Sequence, residues 1–513
     1  MQLLRRGVRV HLVGIGGIGM SAIARVLHGW NYSVSGSDRE ASALTEALAA
    51  EGVTIHIGHR VENLIGNDGG HEGDEVVVVI SSAVPQDNPE LVEARQRGFP
   101  VVKREQFLGA LTAGKFVIAV AGTHGKTTTS AMIAWILIQA GLDPTFIVGG
   151  VLQNLGTNAQ AGTGNILVIE ADEYDRAFLG LWPDVAIVTT LEHDHPDCYP
   201  TVEEMRLAFV EFAGRARQRL IVCGEIVETR HLGEQISALT AQGSAGCDDR
   251  RVVFYGASPG WDWQADDLLL GASPTFKVSH GNKRLGTCAL QLPGRHNVLN
   301  ALAALAAAAE VGVDPGTAMA ALTRFRGTAR RFEVKGQAAG VTVVDDYAHH
   351  PTEIRATLAA ARSKYPERSI WAVFQPHTFS RTVALLGDFA AAFGEADHLI
   401  VTPIYAAREA DPSGVSGTDV VDRIRSNQGL GEASSQVRDA QYVDSLDGAV
   451  RNLLKGVEPG DVVITLGAGD GYRVGEQLLK ELQRREQADR AMQGVSPQKQ
   501  PVGSWGGSRI WTR

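Results

Sequence analysis

The stretch Val120-Ala121-Gly122-Thr123-His124-Gly125-Lys126-Thr127 decides how this chain folds. Before it lies an apolar run, Phe116 to Val120, with the pattern of a buried strand. After it comes a segment, Thr128 to Ala140, that reads as a helix stopped at Gly141. Strand, glycine turn and helix in that order make a phosphate loop. Gly122 and Gly125 let backbone N–H groups approach phosphate, Lys126 meets the terminal phosphates, and Thr127 can ligate Mg2+. Val120 stands where the strict pattern has its first glycine, and the working parts are all present.

The same alternation runs outward in both directions, as a parallel-sheet α/β chain requires. Upstream, Val8 to Val13 reads as a strand followed by Gly14-Ile15-Gly16-Gly17-Ile18-Gly19, with Asp38 after a second strand, Tyr32 to Ser35. This is the diphosphate fingerprint, in which N–H groups and a helix N-terminus hold the anion. It specifies a diphosphate without distinguishing a dinucleotide from a UDP-sugar. Val76 to Ile80 is a further strand, ended by Ser81-Ser82-Ala83-Val84-Pro85. Downstream, strands are expected at Ile166 to Ile169, Val185 to Thr189, Val341 to Val344, Ile370 to Phe374, Leu399 to Val401 and Val462 to Leu466. The stretch from about Gly243 to Lys283 reads as antiparallel and peripheral.

At 513 residues the chain exceeds one hydrophobic core. The expected division is a Rossmann-like unit at 1–112, a central unit built on the phosphate loop at 113–325 and a second Rossmann-like unit at 326–485. A polar tail at 486–513 is expected to be disordered. A net charge of −10 gives no nucleic-acid surface, and four cysteines without CxxC spacing give no zinc site or disulfide framework. Arg5-Arg6 before an apolar run looks like a leader, but Arg9, His11 and four glycines interrupt it. Cytoplasmic localisation, no membrane span, and a monomer or weak homodimer are expected.

Acidic turns follow two of the central strands: Glu170-Ala171-Asp172-Glu173-Tyr174-Asp175 and Glu192-His193-Asp194-His195-Pro196-Asp197. Strand C-termini in such sheets face the ligand crevice, and carboxylate oxygens suit Mg2+. Taken singly, an acid-rich turn is more often a solvated loop; beside a phosphate loop it becomes a candidate metal site. Gly294-Arg295-His296-Asn297-Val298-Leu299-Asn300 opens an Ala-rich helix, with Asn297 and Asn300 on one face. Asp345-Asp346-Tyr347-Ala348-His349-His350-Pro351-Thr352-Glu353 follows another strand.

In order along the chain, these blocks resemble the Mur ligase family, whose members add amino acids to the peptidoglycan precursor. Arg330-Arg331-Phe332-Glu333 and Gln375-Pro376-His377-Thr378-Phe379-Ser380-Arg381 extend the likeness. The resemblance implies an ATP-dependent ligase that joins L-alanine to the lactyl carboxylate of UDP-N-acetylmuramate through an acyl phosphate. A sister ligase adding a murein tripeptide is the nearest alternative. Later-acting members carry a modified lysine after the metal histidine, whereas this chain has no lysine between Lys126 and Lys277. A dehydrogenase would use Gly14 to Gly19 and leave the phosphate loop unexplained.

The resemblance also assigns roles. Gly16, Gly17, Gly19, Ser37, Asp38, Ser81 and Arg104 would bind the UDP-sugar, and His349, His377 and Arg381 the amino acid. ATP would meet Gly122, Thr123, His124, Gly125, Lys126, Thr127, Thr128, His296, Asn297, Asn300, Arg331 and Asp346, with Mg2+ on Thr127, Glu170 and His195. Lys126, Glu170 and His195 would carry the catalysis.

Overall fold

The computed structural model describes residues 3–5, 7–65, 75–81, 83–242, 252–407, 409–410, 414–429 and 437–492. Three sheets follow one another along the chain. The first is wholly parallel, in the order Thr54–Ile57, Ser33–Asp38, Arg9–Val13, Val76–Ile80, Val101–Lys103. Its central strand, Arg9–Val13, is buried at four of its five positions, as a parallel strand covered by helices must be.

The second sheet has ten strands, and its parallel centre places Phe116–Ala121 between Ile166–Glu170 and Val185–Val188. All three strands end at the same edge, so the phosphate loop and both acidic turns emerge side by side. The Gly243-to-Lys283 expectation holds in large part: Trp263–Leu269, Thr275–His280 and Lys283–Ala289 form an antiparallel margin. The strand Val252–Gly256 instead continues the parallel part, and residues 243–251 lie outside the described ones.

The third sheet has six strands, parallel except for its edge strand Glu333–Ala338. The last helix, Tyr472–Met492, carries the ordered chain past Glu486, correcting the expected start of the tail. Val474, Leu478 and Leu482 recur at helical spacing and are buried, which seats this helix on the sheet. Residues 493–513 lie outside the described ones.

The first two units share one apolar core that runs from Val10 and Leu27 to Phe178 and Phe209. Two glycines permit that approach. A Cβ on Gly180 would lie 1.9 Å from the Glu105 carbonyl oxygen, and one on Gly29 2.6 Å from the Ala161 Cβ. The third unit meets the second through polar contacts around the phosphate loop.

Candidate active site

Gly122 sits at φ 129° and Gly125 at φ 81°, backbone that an L side chain rarely adopts. A Cβ on Gly122 would meet Thr189 Oγ1 at 2.2 Å, and one on Gly125 would meet Asn300 Oδ1 at 2.6 Å. The loop is braced from below. Thr123 N donates to the Thr190 carbonyl, His124 N donates to Thr190 Oγ1 at 2.7 Å, and Thr123 Oγ1 donates to the Glu192 carbonyl. The helix begins at Lys126, slightly earlier than the sequence suggests, and its first-turn N–H groups have no acceptor within the helix. Together with the helix dipole they form an anion cradle.

Lys126 Nζ donates to the carbonyls of Gly122 and Thr123 and to Glu173 Oε1 at 2.8 Å. Burial disfavours its charge, but Glu173, Asp172 and Glu170 outweigh burial and hold the ammonium protonated. Thr127 Oγ1 donates to Glu170 Oε1 at 3.1 Å, and Gly149 N donates to Glu170 Oε2. Burial pushes the Glu170 carboxyl above its ordinary range despite Lys126.

A cavity of about 580 Å3 opens here, with walls from all three units. The first unit supplies Gly19 and Arg104, the second Lys126, Thr127, Glu170 and His195, and the third Arg331, His349, His377 and Arg381. Arg104 crosses to Asp172 at 3.1 Å. Arg331 also borders a smaller adjoining cavity that holds Thr128, His296, Asn297, Asn300 and Asp346. Burial lowers His296 to about 4, so this cavity offers a neutral imidazole. Burial likewise raises Asp346 to about 6, against the pull of Arg331.

Several expected residues are placed differently. Ser37 is fully buried, donating to Glu90 Oε2 at 2.6 Å beside His59 Nδ1 at 3.0 Å, in a polar network completed by Asn63 and His11. The Ser37 side chain is thus engaged within the first unit. Asp38 accepts the Gly16 N–H at 2.8 Å and so fixes the glycine loop, while Ser81 lies against Gly14. Gly16 and Gly17 lie outside the three-walled cavity, next to Gly19 which lines it. His195, at φ 55°, sits 3.6 Å from Glu173 Oε1 rather than within the Thr127–Glu170 pair. Arg381, expected to be open to a carboxylate, is buried against Asp194 at 2.8 Å and hydrogen-bonded to His377 Nδ1 at 3.1 Å. Burial and Arg381 lower His377 to about 4, and burial takes His349 to about 3, so both imidazoles are neutral at physiological pH.

Five residues outside the expected set connect the site. Glu173 holds Lys126, and Asp194 holds Arg381. His124 lies between Glu192, at 3.3 Å from Nε2, and Glu353, at 3.2 Å from Nδ1. Thr352 Oγ1 donates to Glu192 at 2.7 Å, so this cluster ties the phosphate loop to the third unit. His124, Glu192 and His350 have donor atoms within 4.8 Å of one another, and Glu353 and Glu192 raise the His124 imidazole to about 9 against its burial. In the sequence these acids are visible in polar stretches that follow buried strands; their partners come from elements far away in the chain.

Family sequence models match three successive parts of the chain: the Mur ligase family catalytic domain over 9–116, the Mur ligase middle domain over 120–308 and the Mur ligase glutamate ligase domain over 330–469. The chain is 44% identical over 481 residues to UDP-N-acetylmuramate–L-alanine ligase of Geobacter sp. (strain M21), covering 94% of this chain and 99% of that protein. It is 43% identical to the ligase of the same name from Frankia casuarinae, over 93% and 98% of the two chains. Among solved structures it is similar to UDP-N-acetylmuramate-alanine ligase of Thermotoga maritima, with a TM-score of 0.74 at 29% identity over 93% of this chain and 99% of that one. A murein peptide ligase from Psychrobacter arcticus follows at TM-score 0.63 and 26% identity, covering 93% and 98%. With three consecutive family models and relatives matched over nearly their whole length, the chain belongs to the Mur ligase family.

Proposed function

We infer that this protein is an ATP-dependent ligase that joins L-alanine to the lactyl carboxylate of UDP-N-acetylmuramate in peptidoglycan precursor synthesis. The observation that carries this reading is the single cavity in which Arg104, Lys126 and the His377–Arg381 pair come together from three units. An amide cannot form directly from a carboxylate, because hydroxide is a poor leaving group. ATP supplies activation: the lactyl carboxylate attacks the γ-phosphorus, ADP leaves, and the acyl phosphate that forms accepts the amine of L-alanine with release of phosphate.

Each unit has a part in this. The first, through about residue 112, holds the UDP-sugar with Gly16, Gly17, Gly19, Asp38, Ser81 and Arg104. The second, to about residue 325, seats the ATP phosphates on Gly122 to Thr128, with His296, Asn297 and Asn300 toward the base. The third supplies Arg331 and Asp346 to ATP and His349, His377 and Arg381 to the amino acid. Carboxylate and triphosphate are both anionic, so Lys126, held charged, offsets their repulsion.

The donor set fits a hard divalent cation: Thr127 and Glu170 offer oxygens 3.1 Å apart, on a carboxylate that burial alone leaves reluctant to ionise. Mg2+ would be held by these two residues, and His195, 3.6 Å from Glu173 Oε1, would offer an imidazole on the same cavity. When bound it supplies further neutralisation of phosphate charge. Closure of the three walls excludes water, which would otherwise hydrolyse the acyl phosphate.

No helix among the described residues is long and apolar enough to cross a membrane. We infer a cytoplasmic protein acting as a monomer or weak homodimer, without a nucleic-acid partner. The test is phosphate release from ATP across a panel of UDP-sugars and amino acids. Release that requires both UDP-N-acetylmuramate and L-alanine supports the reading. Release with a murein tripeptide in place of L-alanine would make the chain a sister ligase.

A further inference from the structure

Five carboxylates face the cavity where the three units meet: Glu170, Asp172, Glu173, Asp194 and Glu353. Four of them leave no buried oxygen without a hydrogen-bond partner among the described residues. Glu170 accepts from Thr127 Oγ1 and Gly149 N, Asp172 pairs with Arg104, Asp194 with Arg381, and Glu353 with His124 and Arg331. Glu173 differs from these. Its Oε1 receives Lys126 Nζ at 2.8 Å, with His195 Nε2 farther away at 3.6 Å. Its Oε2 is buried and has no hydrogen-bond partner, although the side chain is only 1% exposed. The backbone here is fixed by Tyr199, a fully buried residue whose hydroxyl donates to the Glu173 carbonyl at 2.6 Å.

Lys126 is also the residue of the phosphate loop that serves the terminal phosphates, so its ammonium has two competing anions. Once the phosphates take it, Glu173 loses its nearest cation and keeps only His195 Nε2, at 3.6 Å. It does so at a buried position, where an unpaired charge is costly. The amino acid arrives as a zwitterion, and its α-ammonium has the charge and the three donors of a lysine head group.

Resting on the reading above, we propose that Glu173 receives the α-ammonium of L-alanine at the position Lys126 vacates. The unsatisfied Oε2 supplies the second acceptor that an ammonium calls for and that Lys126 alone leaves unused. Because Lys126 Nζ reaches both the loop carbonyls and Glu173, this position adjoins the site where the carboxyl is activated. After the ammonium gives one proton to the Glu173 carboxylate, the free amine is held beside the carbon it attacks. His377 and Arg381, on the same cavity, are left for the carboxylate end of the amino acid.

The test compares two nucleophiles on the same acyl phosphate. L-alanine carries an ammonium, while hydroxylamine is neutral at assay pH and yields a hydroxamate. In Glu173→Gln the ratio of alanine to hydroxylamine turnover should fall by about tenfold or more, with a raised KM for L-alanine. Calorimetric titration with ATP alone should show binding at least as tight as in the parent, since Lys126 no longer leaves a counter-ion. An unchanged ratio overturns the proposal. So does ATP binding weakened by about tenfold, which would make Glu173 a support of the phosphate loop. A raised Mg2+ requirement with both nucleophiles overturns it as well, by assigning the carboxylate to a cation. If Glu173→Gln does not fold, Glu173→Asp keeps the charge but withdraws it, and the ratio should still fall by about threefold. A parent enzyme that forms neither product contradicts the ligase reading itself, an outcome distinct from all of these.

Discussion

Arg381 donates from Nε at 3.0 Å and from Nη2 at 2.8 Å to one oxygen of Asp194, and the pair is buried between the second and third units. Burial opposes the charge on Asp194, but Arg381 and His195 hold its carboxyl far below the ordinary range. The pair therefore acts as a clasp between the sheet that carries the phosphate loop and the sheet that carries His377.

Asp194→Asn leaves Arg381 facing a neutral amide. Breaking one partner of a buried pair costs about 3 kcal/mol, here expressed as weaker docking of the third unit. With UDP-N-acetylmuramate and a non-hydrolysable ATP analogue present, small-angle scattering should give a larger radius of gyration than the parent. An identical radius in both proteins would show that the clasp does not hold the units together.

Lys126→Ala should reduce ligation by roughly a thousandfold while leaving UDP-N-acetylmuramate affinity within about twofold, because the diphosphate fingerprint lies on another sheet. Calorimetry with the sugar nucleotide checks this. Parallel loss of both quantities would contradict the division of labour between the first two units.

Glu170→Gln removes one anionic oxygen from beside Thr127. The Mg2+ concentration for half-maximal rate should rise about tenfold, read from initial rates across a Mg2+ titration. An unchanged requirement would move the metal role to Asp172 or Glu173.

His124 gives a pH signature. Burial disfavours its charge, but Glu353 and Glu192 override burial and raise it to about 9 from 6.5, while hydrogen bonding from His124 brings Glu192 down to about 2. A histidine whose folded value is raised contributes stability that is complete below pH 6.5 and is lost as pH rises through about 9. Thermal stability should therefore fall between about pH 7 and pH 9.5 in the parent and more shallowly in His124→Gln. Parallel pH profiles for the two proteins would show that His124 is not the titrating link.

Much of this was legible in the sequence because strand ends and glycine turns are local features. Val120 to Thr127 announced its strand, loop and helix, and the acids Glu170 and Asp194 were visible as turns after buried runs. Pairing was not legible. Ser37 looks like any polar residue at a strand end, and only the fold shows it enclosed with Glu90, more than fifty residues away in the chain. Arg381 and Asp194 stand 187 positions apart, so no spacing rule could join them. The expected tail failed at its start for a local reason: Val474, Leu478 and Leu482 anchor a helix that then continues beyond Glu486 to Met492.

The most direct test of the central claim uses UDP-N-acetylmuramate labelled with 18O in both lactyl carboxylate oxygens. If that carboxylate attacks the γ-phosphorus seated on Lys126 and L-alanine then displaces phosphate, mass spectrometry will find one 18O in each phosphate released and one retained in the new amide. Phosphate free of label, accompanied by an amide product, would contradict the acyl phosphate route and with it the role assigned to the three-walled cavity.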